Sequence, residues 1–282
     1  MELRHIVGAI DDSSEGRAAL LAAARLAAHC GARITALTVI PPSAEGREEQ
    51  VRRDLAVRVT AAVGRLEPRP RVDLAVAEGL PGVEISRYAE TAKADLVVIG
   101  RKRRSVLQRL LLGDTADSVA RRSALPCLFV SADEQRFERI LVALDGTERG
   151  ISVLLAAIDF SRLTGACIRV VNVEPAYQNE DGVPRILTAR SARLAEVVAG
   201  LARRSDLAEN AWDRSDGASG DSPLVIHRGP VVAEIIREVS AAKSDLLLVG
   251  YHRGGPVAVA EAGSVSRRLA HEAPCGVLTI PL

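Results

Sequence analysis

The sequence of 282 residues is 48% hydrophobic and 26% charged, and its formal net charge is +1, a balance that is ordinary for a globular protein. One Trp, three Tyr and three Phe are its only aromatic residues. A nucleic-acid binder normally has a basic excess or a platform of aromatic side chains on which bases stack. We therefore expect no nucleic-acid partner.

Targeting and cysteine patterns predict a cytoplasmic protein. No apolar run is long enough to span a bilayer, and the N-terminus enters a strand pattern at once, so we expect neither a membrane partner nor a signal peptide. The four cysteines have no C-x-x-C spacing, which disfavours a disulfide framework and a zinc site. We therefore expect no metal ligands among them.

Short apolar runs and helical patterns alternate along the first half of the chain. The predicted strands are residues 4–10, 32–40, 72–77, 96–99 and 127–130, and the predicted helices are residues 12–30, 45–66, 83–92 and part of 106–123. Alternation of this kind predicts an α/β fold with a parallel sheet and right-handed crossovers.

The second half follows the same order. Its predicted strands are residues 139–144, 167–173, 224–227, 246–249 and 276–280, with helices that end near residues 163, 204, 241 and 271. Residues 205–222, which are rich in Gly, Ser and Asp and contain Trp212, have no counterpart in the first half and are predicted to form a loop. The polar stretch 131–138 marks the boundary, so we predict domains at 1–133 and 138–282.

The two halves are copies of one another. Residues 79–100 return as residues 229–250, 150 positions later, and nine of the 22 positions are identical. A repeat this long is not a solenoid unit, so it indicates a duplicated domain. A site in one half therefore has a counterpart to be checked in the other.

Candidate ligand loops follow the predicted strands at their carboxyl ends, where open parallel sheets bind ligands. The first strands end at Asp11 and Asp145, and the fourth strands end at Gly100 and Gly250. Glycine lets a backbone approach a phosphate closely, and a helix N-terminus supplies free N–H donors. Further glycines and hydroxyl side chains follow in both halves, namely Gly113, Thr115, Gly254, Gly263 and Ser264.

The same glycines are also expected if they only end strands and begin helices, so both interpretations stay open on spacing alone. Neither a G-x4-G-K-[S/T] P-loop nor a G-x-G-x-x-G fingerprint occurs in the chain. P-loop NTPases and Rossmann dehydrogenases are therefore disfavoured.

At these residues the chain resembles the universal stress protein family in its tandem, two-domain form. The family motifs are a first strand ending V-D-x-[S/T], a G-x-P after strand three, a fourth strand A-D-L-[IV]-V-x-G, a loop G-x2-G-x9-G-[S/T] and a closing strand A-P-C-P-V. The matching segments are 10–13, 79–81, 94–100 and 125–127 in the first half, and 144–147, 229–230, 244–250, 263–264 and 273–275 in the second. The resemblance covers essentially the whole chain.

The resemblance implies two tandem domains, each an open five-stranded parallel sheet with helices on both faces, of the adenine nucleotide alpha hydrolase-like type. It also implies that the two fifth strands pair in an internal pseudo-dimer, and a homodimer is a further alternative. The implied ligand is an adenine nucleotide, ATP with Mg. By this resemblance Asp145 would hold the ribose or the metal and Val173 would touch the adenine, with Asp11 and Val39 as their counterparts.

Both glycine loops depart from the family pattern. The middle glycine is replaced by Arg103 in the first half and by Arg253 in the second, where Gly254 follows directly. In the first half Asp114 comes after Gly113, and a carboxylate repels phosphate unless a metal intervenes. The second half is therefore the better candidate, since it keeps Gly250, Gly263 and Ser264.

We expect a stress-response protein that binds an adenine nucleotide, ATP, more favourably in its second half. It would act as a sensor or adaptor and not as an enzyme, with at most slow hydrolysis, because no positioned general base or nucleophile is evident. The alternative is an interaction or scaffold protein with degenerate sites that binds a protein partner, and the replacements by Arg103 and Arg253 favour it.

Overall fold

The computed structural model describes residues 1–42, 46–64, 66–102, 115–131, 136–174, 177–178, 184–185, 188–207, 211–213, 223–251 and 262–282; at 177–178, 184–185, 188–190 and 262–264 only the backbone is described. The chain divides into two compact units. One holds Glu2–Arg136 together with Gly276–Pro281, and the other holds Phe137–Cys275 together with Met1 and Leu282.

The unit built from the first half alternates strands and helices, as the sequence predicts. Its strands β1 to β5 lie in one sheet in the order β3-β2-β1-β4-β5, and all four pairings are parallel. The elements, in chain order, are β1 (His5–Ala9), α1 (Ser14–Cys30), β2 (Arg33–Ile40), α2 (Glu48–Val63), β3 (Val72–Glu78), α3 (Pro81–Thr91), β4 (Leu96–Gly100), α4 (Thr115–Arg122) and β5 (Cys127–Val130).

The unit built from the second half repeats this plan. Its strands have the order β10-β7-β6-β11, again with parallel pairings. A pair of two-residue antiparallel strands, β8 and β9, precedes α6 and was not predicted. The elements are β6 (Arg139–Leu144), α5 (Gly150–Thr164), β7 (Cys167–Glu174), β8 (Tyr177–Gln178), β9 (Pro184–Arg185), α6 (Thr188–Arg204), β10 (Leu224–Arg228), α7 (Val231–Ala241), β11 (Leu246–Tyr251) and α8 (Ala262–Glu272).

The last strand, β12 (Gly276–Pro281), belongs to the unit of the first half. It pairs with β5 in antiparallel register, with Val277 opposite Phe129, and the Thr279 hydroxyl donates to the Cys127 carbonyl at 3.3 Å. The predicted pairing of the two fifth strands is therefore present. Within this unit, β12 runs antiparallel to β5, whereas the other strand pairings are parallel.

The cores follow from the continuous apolar strands. Residues 96–99 of β4 and 246–249 of β11 are completely or almost completely buried, as expected for strands of a parallel sheet that is covered on both faces. Helix α1 presents a row of small alanine side chains to this sheet, which lets the helix approach it closely. No helix among the described residues is long and apolar enough to cross a membrane.

The shared Asp95 and Asp245 have a structural role in the repeat. Asp95 Oδ2 accepts hydrogen bonds from the amides of Arg4 and His5, both at 2.8 Å, at the start of β1. In the second half, the Asp245 carboxylate accepts from two amides at the start of β6, at 2.9 and 3.0 Å. These aspartates therefore join the amino ends of neighbouring strands, away from the edge where the candidate site lies.

Part of the 205–222 insertion joins the sheet. Trp212 forms a parallel bridge with Ile168 of β7, and the Asp213 amide donates to the Ile168 carbonyl at 2.9 Å. The indole is only 4% exposed, and its Nε1 donates to Ser205 Oγ at 3.2 Å. The prediction of a loop therefore needs correction at residues 211–213, whereas residues 208–210 and 214–222 lie outside the described part of the chain.

Candidate functional site

The two candidate aspartates lie on exposed turns at the carboxyl ends of β1 and β6. Asp145 Oδ1 accepts hydrogen bonds from the backbone amide of Thr147 at 2.9 Å and from its hydroxyl at 2.7 Å. Asp11 Oδ1 accepts the same pair of hydrogen bonds from Ser13. In both halves these two hydrogen bonds engage Oδ1 of an exposed aspartate and do not involve Oδ2.

The helices after these turns begin differently. Ser13 Oγ accepts from the Gly16 amide at 3.0 Å, and Thr147 Oγ1 accepts from the Gly150 amide at 3.2 Å. Helix α1 already begins at Ser14, whereas α5 begins only at Gly150, the counterpart of Gly16. When the two halves are aligned, α5 therefore begins two residues later than α1.

The turn itself explains part of this difference. Gly146 has a φ of +73°, in the left-handed region that favours glycine, whereas its counterpart Asp12 has no positive φ. The turn after Asp145 therefore has a left-handed residue that the turn after Asp11 lacks.

Gly100, the last residue of β4, and Gly250, the last but one of β11, face different neighbours. A Cβ atom at Gly100 would lie 2.4 Å from the carbonyl carbon and oxygen of Glu15, so the backbone of α1 closes directly on this glycine. At Gly250 a Cβ would meet side chains instead, with Leu282 Cδ1 at 2.5 Å and Val153 Cγ2 at 3.2 Å. A side chain can rotate away more easily than backbone can shift, so the neighbours of Gly250 are the more adaptable of the two.

The N-terminal half of α8 is held at this glycine. The hydroxyl of Ser266, which is 6% exposed, donates to the Gly250 carbonyl. Gly263 and Ser264 belong to the first turn of α8, so their backbone lies near the end of β11. The corresponding position in the first half is Ala116, which has no hydroxyl.

The remaining predicted site residues are placed less favourably or lie outside the described residues. Val173 is 8% exposed and offers little surface, and Val39 is partly buried. Thr115 is the first residue of α4. The loop residues outside the described chain are Gly113, Arg253 and Gly254, together with Arg103 and Asp114.

Sequence reasoning missed two buried polar side chains beside the aspartate turns. Asn172 Nδ2 of β7 donates to the Leu144 carbonyl at 2.7 Å, and Thr38 Oγ1 of β2 donates to the Ile10 carbonyl at 2.9 Å. Both accepting residues directly precede the candidate aspartates. In the sequence, the signal for each is a polar residue within an apolar strand. It stands directly before Val39 in β2 and directly before Val173 in β7.

Metal-ligand chemistry is sparse in the described part of the chain. Among those residues no group of three or more His, Cys, Asp or Glu side chains could hold a metal ion.

Burial raises the pKa of the Cys127 thiol to about 12, so this cysteine is an inert core residue at neutral pH. His227 contacts Glu238 at 2.6 Å, within a cluster of ionic side chains that joins α7 to the sheet.

The chain matches the model of the universal stress protein family over two segments, residues 2–131 and 136–281. These segments cover nearly the whole chain and follow the two halves of the repeat. The protein therefore belongs to the universal stress protein family, in a form with two tandem family domains.

Curated relatives carry the same family name. The chain is 28% identical over 201 residues to universal stress protein Mb2028c of Mycobacterium bovis. This match covers 70% of this chain and 63% of that protein. It is 43% identical over 53 residues to universal stress protein MJ0531 of Methanocaldococcus jannaschii, which covers 19% of this chain and 31% of that protein. The matches thus span less than two thirds of the length of these relatives.

A solved structure confirms the fold. The crystal structure of a universal stress protein from Archaeoglobus fulgidus DSM 4304 matches with a TM-score of 0.67 over 98% of this chain and 96% of that chain, at 21% identity. At this level of identity the likeness establishes the tandem α/β architecture alone.

Proposed function

We propose that this protein binds an adenine nucleotide, ATP, at the carboxyl edge of the second-half sheet and acts as a sensor or adaptor in a stress response. The observation that carries the proposal is the link between Ser266 and the Gly250 carbonyl, which holds the N-terminal half of α8 beside the end of β11. A helix N-terminus next to a glycine is a favourable site for phosphate, because its amides point outward and carry the positive end of the helix dipole.

The arrangement around Gly250 supports this half over the other. Leu282 and Val153 cover Gly250 with side-chain atoms, which can move aside for a ligand. Gly100 is covered by the backbone of Glu15, which would have to shift with the whole start of α1. We therefore favour the second half for the nucleotide, since the atoms that cover its glycine belong to side chains.

Asp145 supplies the polar anchor that a nucleotide needs. Thr147 fixes the carboxylate through Oδ1, so Oδ2 can accept a hydrogen bond from a ribose hydroxyl. The same oxygen suits Mg²⁺, which proteins commonly hold through one or two carboxylates while the phosphates supply further ligands. One exposed aspartate and no dedicated metal cluster among the described residues fit a cation that arrives with the nucleotide.

Slow chemistry at most is expected from this site. Asp145 accepts hydrogen bonds from its own turn, and the buried Glu174 at the same edge is engaged with Ser191 and Arg228. Efficient hydrolysis needs a base positioned on the attacking water. We therefore propose that the protein signals by whether a nucleotide is bound at this site. Hydrolysis of ATP would be a minor activity.

Native mass spectrometry of the purified protein tests the proposal. We expect a nucleotide mass adduct after incubation with ATP and Mg²⁺ that is lost in Gly263→Val, because a branched side chain obstructs the first turn of α8. Gly113→Val, at the equivalent position of the first half, is the matched control and should keep the adduct. Equal loss in both variants, with thermal unfolding unchanged, would contradict the choice of the second half.

A second function has two specific observations in its favour. Val173 is only 8% exposed, which leaves little surface for an adenine ring, and the middle glycine of both loops is an arginine. A scaffold protein that binds a protein partner and no nucleotide would have these features. It predicts an unmodified mass for the folded wild-type protein even at millimolar ATP.

A further inference from the structure

A buried polar network lies beside the Asp145 turn. Asn172 Nδ2 donates to the Leu144 carbonyl at 2.7 Å, and the hydroxyl of Ser191 on α6 lies 3.3 Å from Asn172 Oδ1. The same hydroxyl contacts Glu174 Oε1 at the end of β7. Asn172, Ser191 and Glu174 are each exposed by 6% or less.

Burial of these polar side chains costs free energy, which suggests that they have a role in the structure or in the site. A carboxylate or amide removed from water loses its hydration and must recover it through internal hydrogen bonds. Glu174 recovers part of it from Ser191 and part from Arg228 Nε, at 3.1 Å, on β10. Four elements, namely β6, β7, α6 and β10, thereby meet at one end of the sheet.

The first half lacks most of this network. Thr38 makes the equivalent hydrogen bond to the Ile10 carbonyl at 2.9 Å, but the counterpart of Glu174 is the apolar Ile40. The helix that packs here, α2, buries Leu55 and Val59 instead of a hydroxyl. The extended polar network therefore belongs to the half in which we place the nucleotide.

We propose that Asn172 is a positioning residue for the nucleotide site, because it holds the Leu144 carbonyl and thereby fixes the turn that presents Asp145. The Ser191 hydroxyl, which also contacts Glu174, lies against the Asn172 amide oxygen. The proposal rests on the proposed function, since it concerns the affinity of that same site. It assigns no direct ligand contact to Asn172, whose amide is engaged with backbone and Ser191.

Two isosteric substitutions separate positioning from stability. Asn172→Leu removes the amide at similar volume, and Thr38→Val removes the matching hydroxyl in the first half. We expect Asn172→Leu to weaken ATP binding, measured by isothermal titration, by about tenfold, the effect of one lost buried hydrogen bond on the turn. Thr38→Val should leave the affinity unchanged, and Asn172→Thr, which copies the first half, should recover part of the loss.

Amide hydrogen exchange gives a readout that needs no ligand. Asn172→Leu should speed exchange at the amides of Thr147 and Gly150, which bond within the turn, while Thr38→Val should leave these two amides unchanged. Absence of ATP binding by the wild type would remove the proposed function, and the exchange would still report whether Asn172 fixes the turn. Unchanged affinity and unchanged exchange in Asn172→Leu would overturn the positioning role.

Discussion

Two lysines have the same unusual backbone in both halves. Lys93 has a φ of +52° and Lys243 a φ of +50°, just after α3 and α7 end. In this left-handed region a side chain is strained, and glycine is the residue that most often ends a helix there. Both copies of the repeat therefore retain a lysine where glycine would be more stable.

Replacing either lysine with glycine should stabilise the protein. We expect Lys93→Gly and Lys243→Gly each to raise the free energy of unfolding by about 1 kcal/mol, because the strain of the left-handed backbone is relieved. Urea denaturation followed by circular dichroism measures this change. Lys243→Ala keeps the Cβ atom and the strain, so it should give no gain; an equal gain from alanine would contradict the backbone explanation.

At the same scale, the sequence predicts some site residues and misses others. Asp145 and Gly250 can be found because they interrupt apolar strands at their ends. Ser266 and Asn172 could not be found in this way, since their roles depend on hydrogen bonds to carbonyls that are distant along the chain. The closure of Glu15 on Gly100 also depends on where the helix begins, which spacing alone does not determine.

At the scale of elements, an ionic cluster attaches α7 to the sheet of the second half. Arg169 Nε of β7 lies 2.6 Å from Glu238 Oε1, and both side chains are 5% exposed. Glu238 Oε2 also contacts His227 Nε2 of β10 at 2.6 Å. On the other side of the ring, Arg237 Nη2 contacts His227 Nδ1 at 3.3 Å. The helix is therefore docked by charges as well as by its apolar face.

Breaking one side of this buried pair should be strongly destabilising. We expect Glu238→Gln to lower the free energy of unfolding by about 3 kcal/mol, because the buried Arg169 guanidinium loses the nearer of its two carboxylate partners and keeps only Asp213, at 3.5 Å. Chemical denaturation measures the loss. Arg268→Gln, which breaks an exposed ion pair with Glu272 on α8, should cost less than about 1 kcal/mol; similar losses in the two variants would show that burial is unimportant here.

Most elements are predicted from the sequence because hydrophobic periodicity reports burial. The continuous runs at 96–99 and 246–249 are strands for that reason, since both faces of the sheet are covered. Strands β8 and β9 were missed because two-residue strands have no detectable period. The Trp212 bridge was missed because the surrounding composition is that of a loop.

At the scale of the whole molecule, duplication preserves the fold and lets the candidate sites diverge. Asp95 and Asp245 make the same strand-joining hydrogen bonds in both units, so the fold constrains them equally. Gly100 and Gly250, which end equivalent strands, face backbone in one unit and side chains in the other. The repeat predicts a pair of equivalent candidate positions, one in each half. The structure shows that the atoms around these two positions differ.

The central claim, one nucleotide site in the second half, is tested most directly by isothermal titration of the intact protein with ATP and Mg²⁺. We predict one nucleotide bound per chain, loss of binding in Asp145→Ala, and unchanged binding in Asp11→Ala, since each variant removes an exposed carboxylate from an equivalent turn. No binding heat at millimolar ATP from folded wild-type protein, or equal losses from the two variants, would contradict the account.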